Sequence, residues 1–158
     1  MAALAHSVAT LFLGAILVGS VSAQQPRQSN SEFLRAKSRR FIDYQRDFLS
    51  FARESKGGDD WAIPSNLHTA ASTISEYLFA TRSFLEIYDH LSCPSDRANA
   101  RSILRREFAY YAKQIDGYVD TVNLGLSYTR APAVATSGTQ MKEDLRELKA
   151  FFEAVTLK

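Results

Sequence analysis

The chain has 158 residues, with 19 basic and 17 acidic side chains and a formal net charge of +2. This length suits one domain with a single core. The nearly balanced charge excludes a protein that binds polyanions over its whole surface. The single cysteine excludes a disulfide scaffold and any metal site built on several cysteines.

Residues 1–23 have the composition of a cleavable export signal. They contain no Lys, Arg, Asp or Glu, and an apolar run from Val8 to Val21 is followed by small residues up to Ala23. The run is shorter than the roughly 20 apolar residues that a membrane-spanning helix needs. We therefore expect cleavage after Ala23, export to the periplasm or the medium, and a single domain over residues 24–158 without a transmembrane segment. An uncleaved membrane anchor is the alternative.

The remaining sequence predicts an all-α protein. Val and Ile are few, and no long alternation of apolar and polar residues indicates a strand. Four prolines divide the chain, and because proline disrupts a helix interior, each stretch between them is expected to hold one helix. The predicted helices cover residues 30–55, 66–91, 96–128 and 139–155.

Local signals support these helices. Ser29 and Glu32 form a capping-box pattern before the first helix, and Gly57 and Gly58 follow its end. Ser65 and Ser95 are the expected caps of the second and third helices. The second helix has the most regular apolar row, whose members alternate in spacing between four and three residues: Leu67, Ala71, Ile74, Leu78, Thr81, Leu85 and Tyr88.

The predicted connections, at residues 57–64, 92–95 and 129–137, are short. Short connections join neighbouring antiparallel helices, so the sequence predicts an antiparallel up-down-up-down four-helix bundle. The alternative architecture is a helical dimer in which the third helix swaps or extends. The third helix could also end early, near Gly125.

The sequence contains no recognised catalytic, haem-binding or metal-binding motif, and we expect no cofactor. His90 precedes Cys93 by three residues, but no residue is placed by sequence to orient the imidazole. We therefore favour a non-enzymatic protein. The enzymatic alternative is a site assembled from Asp59, Asp60, His68 and Glu76.

Two further patterns are candidates for ligand binding. Asp59, Asp60 and Trp61 follow a glycine pair and could bind a cation or a sugar, but we favour the simpler explanation that the two Asp residues start the next turn while Trp61 and Ile63 cap the end of the bundle. Aromatic residues make up 11% of the chain, so an apolar ligand between the helices is the second functional hypothesis. Its expected lining is Phe48, Tyr77, Phe84 and Tyr111.

The leading hypothesis is an exported interaction protein with a basic end. In the predicted bundle the first and third helices start at the same end, which collects more basic than acidic residues. The candidate partner-binding residues are Arg35, Arg39, Arg40, Arg97, Arg101, Arg105 and Arg106. An acidic protein, an anionic lipid or a cell-surface polymer would suit such an end, whereas nucleic acid is not expected for an exported protein. A solvated surface with internal ion pairs is the simpler explanation of the same residues.

Overall fold

The computed structural model describes residues 29–55 and 59–157, and the residues predicted to form the export signal lie outside these ranges. The described residues form four α-helices and no strand: α1 Asn30–Glu54, α2 Asp59–His90, α3 Pro94–Tyr128 and α4 Pro132–Ala154. The prediction of an all-α fold with four helices is therefore confirmed, and the arrangement is consistent with a helical bundle.

Helix α1 begins and ends close to its predicted bounds. The backbone N–H of Glu32 donates to Ser29 Oγ at 3.1 Å, and the backbone N–H of Ser29 donates to Glu32 Oε2 at 3.0 Å. These two bonds complete the predicted capping box, which satisfies two backbone donors that a helix start leaves unpaired.

The predicted start of α2 is wrong. The helix begins at Asp59, seven residues before the expected Asn66, and it includes Pro64 and Ser65. Pro64 lies near the helix start, where a missing N–H removes one backbone hydrogen bond, and its ring is buried. Residues 59–61 are therefore the first turn of α2 and do not form a loop.

The other two prolines begin helices. Pro94 and Pro132 are the first residues of α3 and α4, where a proline loses no hydrogen bond because the first N–H groups of a helix have no partner within it. Ser95 is accordingly inside α3, and the expected cap there is wrong. Helix α3 continues through Gly125 to Tyr128, for a length of roughly 50 Å.

The core is a continuous apolar cluster to which all four helices contribute. The predicted α2 row is buried along its whole length, from Leu67 to Tyr88. Two glycines allow close packing at one end of the molecule. A Cβ on Gly125 would lie 3.4 Å from Ile63 and Leu67 side chains, and one on Gly138 would lie 3.0 Å from Leu126.

None of the four helices combines the length and the uninterrupted apolar character that crossing a bilayer requires, as far as the described part of the chain extends.

Candidate interaction surface

A buried polar cluster joins α1 to α4, and sequence reasoning did not find it. Asp144 is 1% exposed and lies among the apolar residues of α4. One of its carboxylate oxygens accepts a hydrogen bond from Lys37 Nζ at 2.7 Å. The other accepts one from the Tyr44 hydroxyl at 2.7 Å and lies 2.8 Å from Arg40 Nε. Three donors from α1 thus converge on one carboxylate of α4.

Each charged side chain of the cluster has a partner of opposite charge. Lys37 also pairs with Glu147, whose side chain is largely exposed, and Arg40 Nη2 donates to the Tyr44 hydroxyl at 3.0 Å. Burial, together with the hydrogen bond to Asp144, raises the pKa of Tyr44 to about 12. Because charges removed from water need partners in the interior, this cluster explains how two charged residues remain in the core.

Two cations of the predicted basic end belong to this cluster and are therefore less available to a partner. Lys37 is buried, and Arg40, although half exposed, is held by Asp144 and Tyr44. Arg40 is therefore placed to support the packing of α1 on α4 as well as to face solvent.

The other six candidate arginines form no ion pair within residues 29–55 and 59–157. Four of them have exposed side chains: Arg35, Arg39, Arg105 and Arg106. Two lie on α1 and two on α3. These four side chains are the ones most available to an anion, and they will be called the exposed arginines.

Arg97 and Arg101 instead pack against Tyr88. The guanidinium carbon of Arg97 lies 5.1 Å from the centre of the Tyr88 ring, and Arg101 Nε donates to the Tyr88 hydroxyl at 3.2 Å. Burial would raise the pKa of Tyr88, but the interactions with Arg101 and Arg97 outweigh it and lower the pKa. Replacing either arginine would therefore alter the packing between α2 and α3 as well as the surface charge.

A cleft of about 300 Å³ lies beside Arg97. It is lined by residues from the start of α1, the end of α2, the start of α3 and the segment after α4: Ser29, Asn30, Ser31, Leu85, Glu86, Tyr88, Asp89, Arg97, Thr156 and Leu157. Arg97 Nε is buried and has no hydrogen-bond partner among the described residues. The cleft also contains two carboxylates, of which Glu86 lies 3.2 Å from Arg82 Nε.

A larger groove, of about 770 Å³, lies between the start of α2 and the end of α3. Its lining is mixed: Ala62, Ile63, Asn66, Leu67, Thr121, Leu124, Gly125, Tyr128 and Arg130. Trp61, which directly precedes the first lining residue, is 51% exposed. The side chains of Asp59 and Asp60 lie outside the described residues, so the predicted cation or sugar site on Asp59, Asp60 and Trp61 stays a prediction.

The described part of the structure shows no catalytic arrangement of the residues proposed for an enzymatic site. The imidazole of His68 donates through Nδ1 to the backbone carbonyl of Gln45 at 2.9 Å, which holds α2 against α1. Glu76 is exposed on α2. Among residues 29–55 and 59–157, no group of three or more His, Cys, Asp or Glu side chains is arranged to hold a metal ion.

Cys93 is an exposed free thiol just before α3. Its sulfur lies 3.0 Å from the Ser95 hydroxyl, and this hydrogen bond lowers the pKa of the thiol. No hydrogen bond within the described part of the chain joins Cys93 to His90, so a nucleophile–base pair has no geometric support there.

The four residues expected to line an aromatic cavity have different environments. Phe48 and Tyr111 are buried in the core, whereas Phe84 is 49% exposed. Tyr77 is partly buried and stacks on Tyr111, with ring centres 4.7 Å apart. Neither of the two clefts described above is lined by any of these four residues.

Comparison with protein-family models, with curated proteins and with solved structures finds no match to this chain.

Proposed function

We propose that this protein is an exported, non-enzymatic helical bundle that binds an anionic partner through its basic end. The proposed topology is antiparallel, up-down-up-down. The cleft beside Arg97 supports it, because residues from the start of α1, the end of α2, the start of α3 and the segment after α4 line one cavity. The export signal in residues 1–23 supports a location outside the cytoplasm.

The observation that carries the proposal is that the exposed arginines have no ion-pair partner among the described residues. Several cations elsewhere on the surface are paired: Arg46 with Asp43, Arg146 with Glu143, and Lys149 with Asp116. Each of these pairs has an N–O distance of 2.7 Å. The basic end is distinguished by four guanidinium groups on α1 and α3 that form no ion pair in the described part of the chain and remain available to a ligand.

Guanidinium groups favour particular anions. Their planar N–H groups match carboxylate, phosphate and sulfate oxygens in pairs, and they are more weakly hydrated than ammonium groups. Several of them at one end attract a multivalent anion more strongly than a single charge. An acidic protein, an anionic lipid surface and a sulfated or carboxylated surface polymer all offer such charge.

The test compares two variants that lose the same charge. In the first, Arg35, Arg39, Arg105 and Arg106 are replaced by Gln. In the control, Arg53, Lys113, Arg130 and Lys142, none of which forms an ion pair within the described residues, are replaced by Gln. Binding to heparin and to phosphatidylglycerol vesicles is measured over a series of salt concentrations.

The first variant should bind at least tenfold more weakly and with a shallower salt dependence, whereas the control should retain most of the binding. Both should keep the thermal midpoint of the native protein, because the substituted side chains form no ion pair in the described structure. Equal loss in the two variants would mean that net charge, and not the basic end, determines binding.

A second candidate function is binding of a small amphipathic molecule in the groove between α2 and α3. Its size of about 770 Å³ and its mixture of apolar and polar lining favour this function. Trp61 is the only tryptophan and lies next to the groove, so its fluorescence reports directly on occupancy. A saturable spectral shift that Leu124→Arg abolishes would support this function, and an unchanged spectrum across a panel of lipids and aromatic acids would count against it.

A further inference from the structure

Helix α3 exposes large apolar side chains in a single row. Ile103, Tyr110 and Leu124 are 52%, 50% and 60% exposed, respectively. Tyr110 follows Ile103 by seven residues, and Leu124 lies two such intervals further along. A seven-residue interval returns to nearly the same side of a helix, so these side chains lie on one line. The residue at the remaining position of the line is Gly117, and the four residues will be called the α3 row.

The described fold of a single chain does not explain why residue 117 is a glycine. It lies inside α3, where glycine is less favourable than alanine, and a Cβ added there would meet nothing within 4 Å. No close contact in the described structure therefore requires a glycine. In the α3 row it leaves a gap between Tyr110 and Leu124. Such a gap is what a large side chain from a second helix needs in order to approach closely.

Helix α2 also exposes large apolar side chains. Phe84 and Ile87 are 49% and 59% exposed. Phe84 follows Tyr77 by seven residues, and Tyr77 stacks on Tyr111 of α3, so this side of α2 borders α3. Exposed apolar residues on two neighbouring helices are typical of an interaction surface and unusual on an isolated monomer.

We infer that a second copy of this chain packs antiparallel along the α3 row, with a two-fold axis passing between Lys113 and Gln114. Residues equidistant from this axis then face each other. Tyr110 lies against Gly117 of the second copy, and Ile103 lies against Leu124 of the second copy. Because a two-fold axis repeats every contact, each chain provides both the tyrosine and the gap.

Charge complementarity favours this occupant and this orientation. Arg106 and Asp120 both lie beside the α3 row, are exposed, and form no ion pair within the described residues. The antiparallel arrangement brings Arg106 next to Asp120 of the second copy, and symmetry forms this pair twice. Lys113 lies on the same side of α3, seven residues after Arg106 and seven before Asp120, and it meets its own copy at the axis. The antiparallel arrangement therefore forms two opposite-charge pairs against one like-charge contact, whereas a parallel arrangement would place all three charges next to their own copies. In the dimer, Arg35, Arg39 and Arg105 are then the exposed arginines left for an anionic partner.

The first experiment measures the association constant of the purified protein by sedimentation equilibrium in buffer without polyanions. Gly117→Leu fills the gap and should lower the association constant at least tenfold. The same substitution should leave the thermal midpoint of the dilute monomer unchanged or higher, because leucine is the better helix former and has free space there. Ala36→Leu, at an exposed position of α1, which does not contact α3 within the described residues, is the control and should leave association unchanged.

The second experiment tests the orientation by exchanging charges. Arg106→Asp and Asp120→Arg should each weaken association several-fold, whereas the double variant should restore it, because every antiparallel pair is then reversed. Recovery in the double variant together with loss in Gly117→Leu supports the proposed dimer. A native protein that stays monomeric up to millimolar concentration, or a dimer that Gly117→Leu leaves intact, overturns it.

Discussion

Asp144 should be the most sensitive charged residue in the protein. Asp144→Ala removes the carboxylate that Lys37 Nζ and the Tyr44 hydroxyl each approach to 2.7 Å. The Lys37 side chain is only 7% exposed, so its charge would lose its buried partner. Removing one member of a buried ion pair costs about 3–5 kcal/mol. Since Lys37 keeps Glu147 as a partner, we expect the lower end of this range, about 3 kcal/mol.

Urea unfolding followed by circular dichroism measures this loss, and a thermal scan should show a fall in midpoint of about 10 °C. Asp43→Ala is the matched control, because it breaks an ion pair of the same 2.7 Å length between two exposed side chains. That substitution should cost about 1 kcal/mol or less. Equal and small effects of the two substitutions would refute the reasoning, since they would mean that water solvates Asp144.

A double substitution separates the cost of breaking the pair from the net value of the pair. Lys37→Met with Asp144→Leu removes both charges and leaves apolar side chains of similar size. Replacing a buried pair in this way is commonly neutral or stabilising by about 1–4 kcal/mol. We therefore expect the double variant to be more stable than Asp144→Ala alone. A double variant that is less stable than the single one would show that the pair itself contributes net stability.

Four other predictions concern single residues. Leu78→Asp should unfold the protein in circular dichroism, because it places an unpaired charge at a side chain that is 0% exposed, at a cost of several kcal/mol. The pKa of Tyr44 is raised to about 12 in the folded state, so stability should be lost as the pH rises from about 10 to about 12, and Tyr44→Phe should reduce this loss in urea titrations. Ser95→Ala removes the hydroxyl that lowers the pKa of the Cys93 thiol, so alkylation by iodoacetamide near neutral pH should slow, while the thermal midpoint stays unchanged. The exported protein should begin at Gln24, and an intact mass that still includes residues 1–23 would contradict the export signal.

The sequence predicted the helices better than their starts. The spacing of apolar residues identified the α2 row, because a helix that is buried along one side has apolar residues at regular intervals in its sequence. The prediction that the prolines lie between the helices is wrong. Pro94 and Pro132 instead begin helices, and Pro64 is accommodated near the start of α2. Proline disrupts a helix only where its N–H is needed, and near a helix start that need is smallest.

The sequence contains an indication of the buried cluster. Lys37 lies between Leu34 and Phe41 at spacings of three and four residues, and Asp144 follows Met141 by three. A charged residue at an apolar position of an amphipathic helix indicates either an irregular surface or a buried pair. Two such residues of opposite sign on different helices favour the buried pair, because each can neutralise the other.

The charge of the basic end could be counted from the sequence, but its availability could not. Lys37 and Asp144 are 107 positions apart, and only the packing of α1 against α4 shows that this cation and Arg40 share one carboxylate. Periodicity along one helix contains no information about which neighbour a surface charge meets. The same limit applies to Arg106 and Asp120, which form no ion pair within the described residues and which the proposed dimer would pair with each other. The fold can therefore be predicted from the spacing of apolar residues along each helix, whereas binding depends on the charges that packing leaves unpaired.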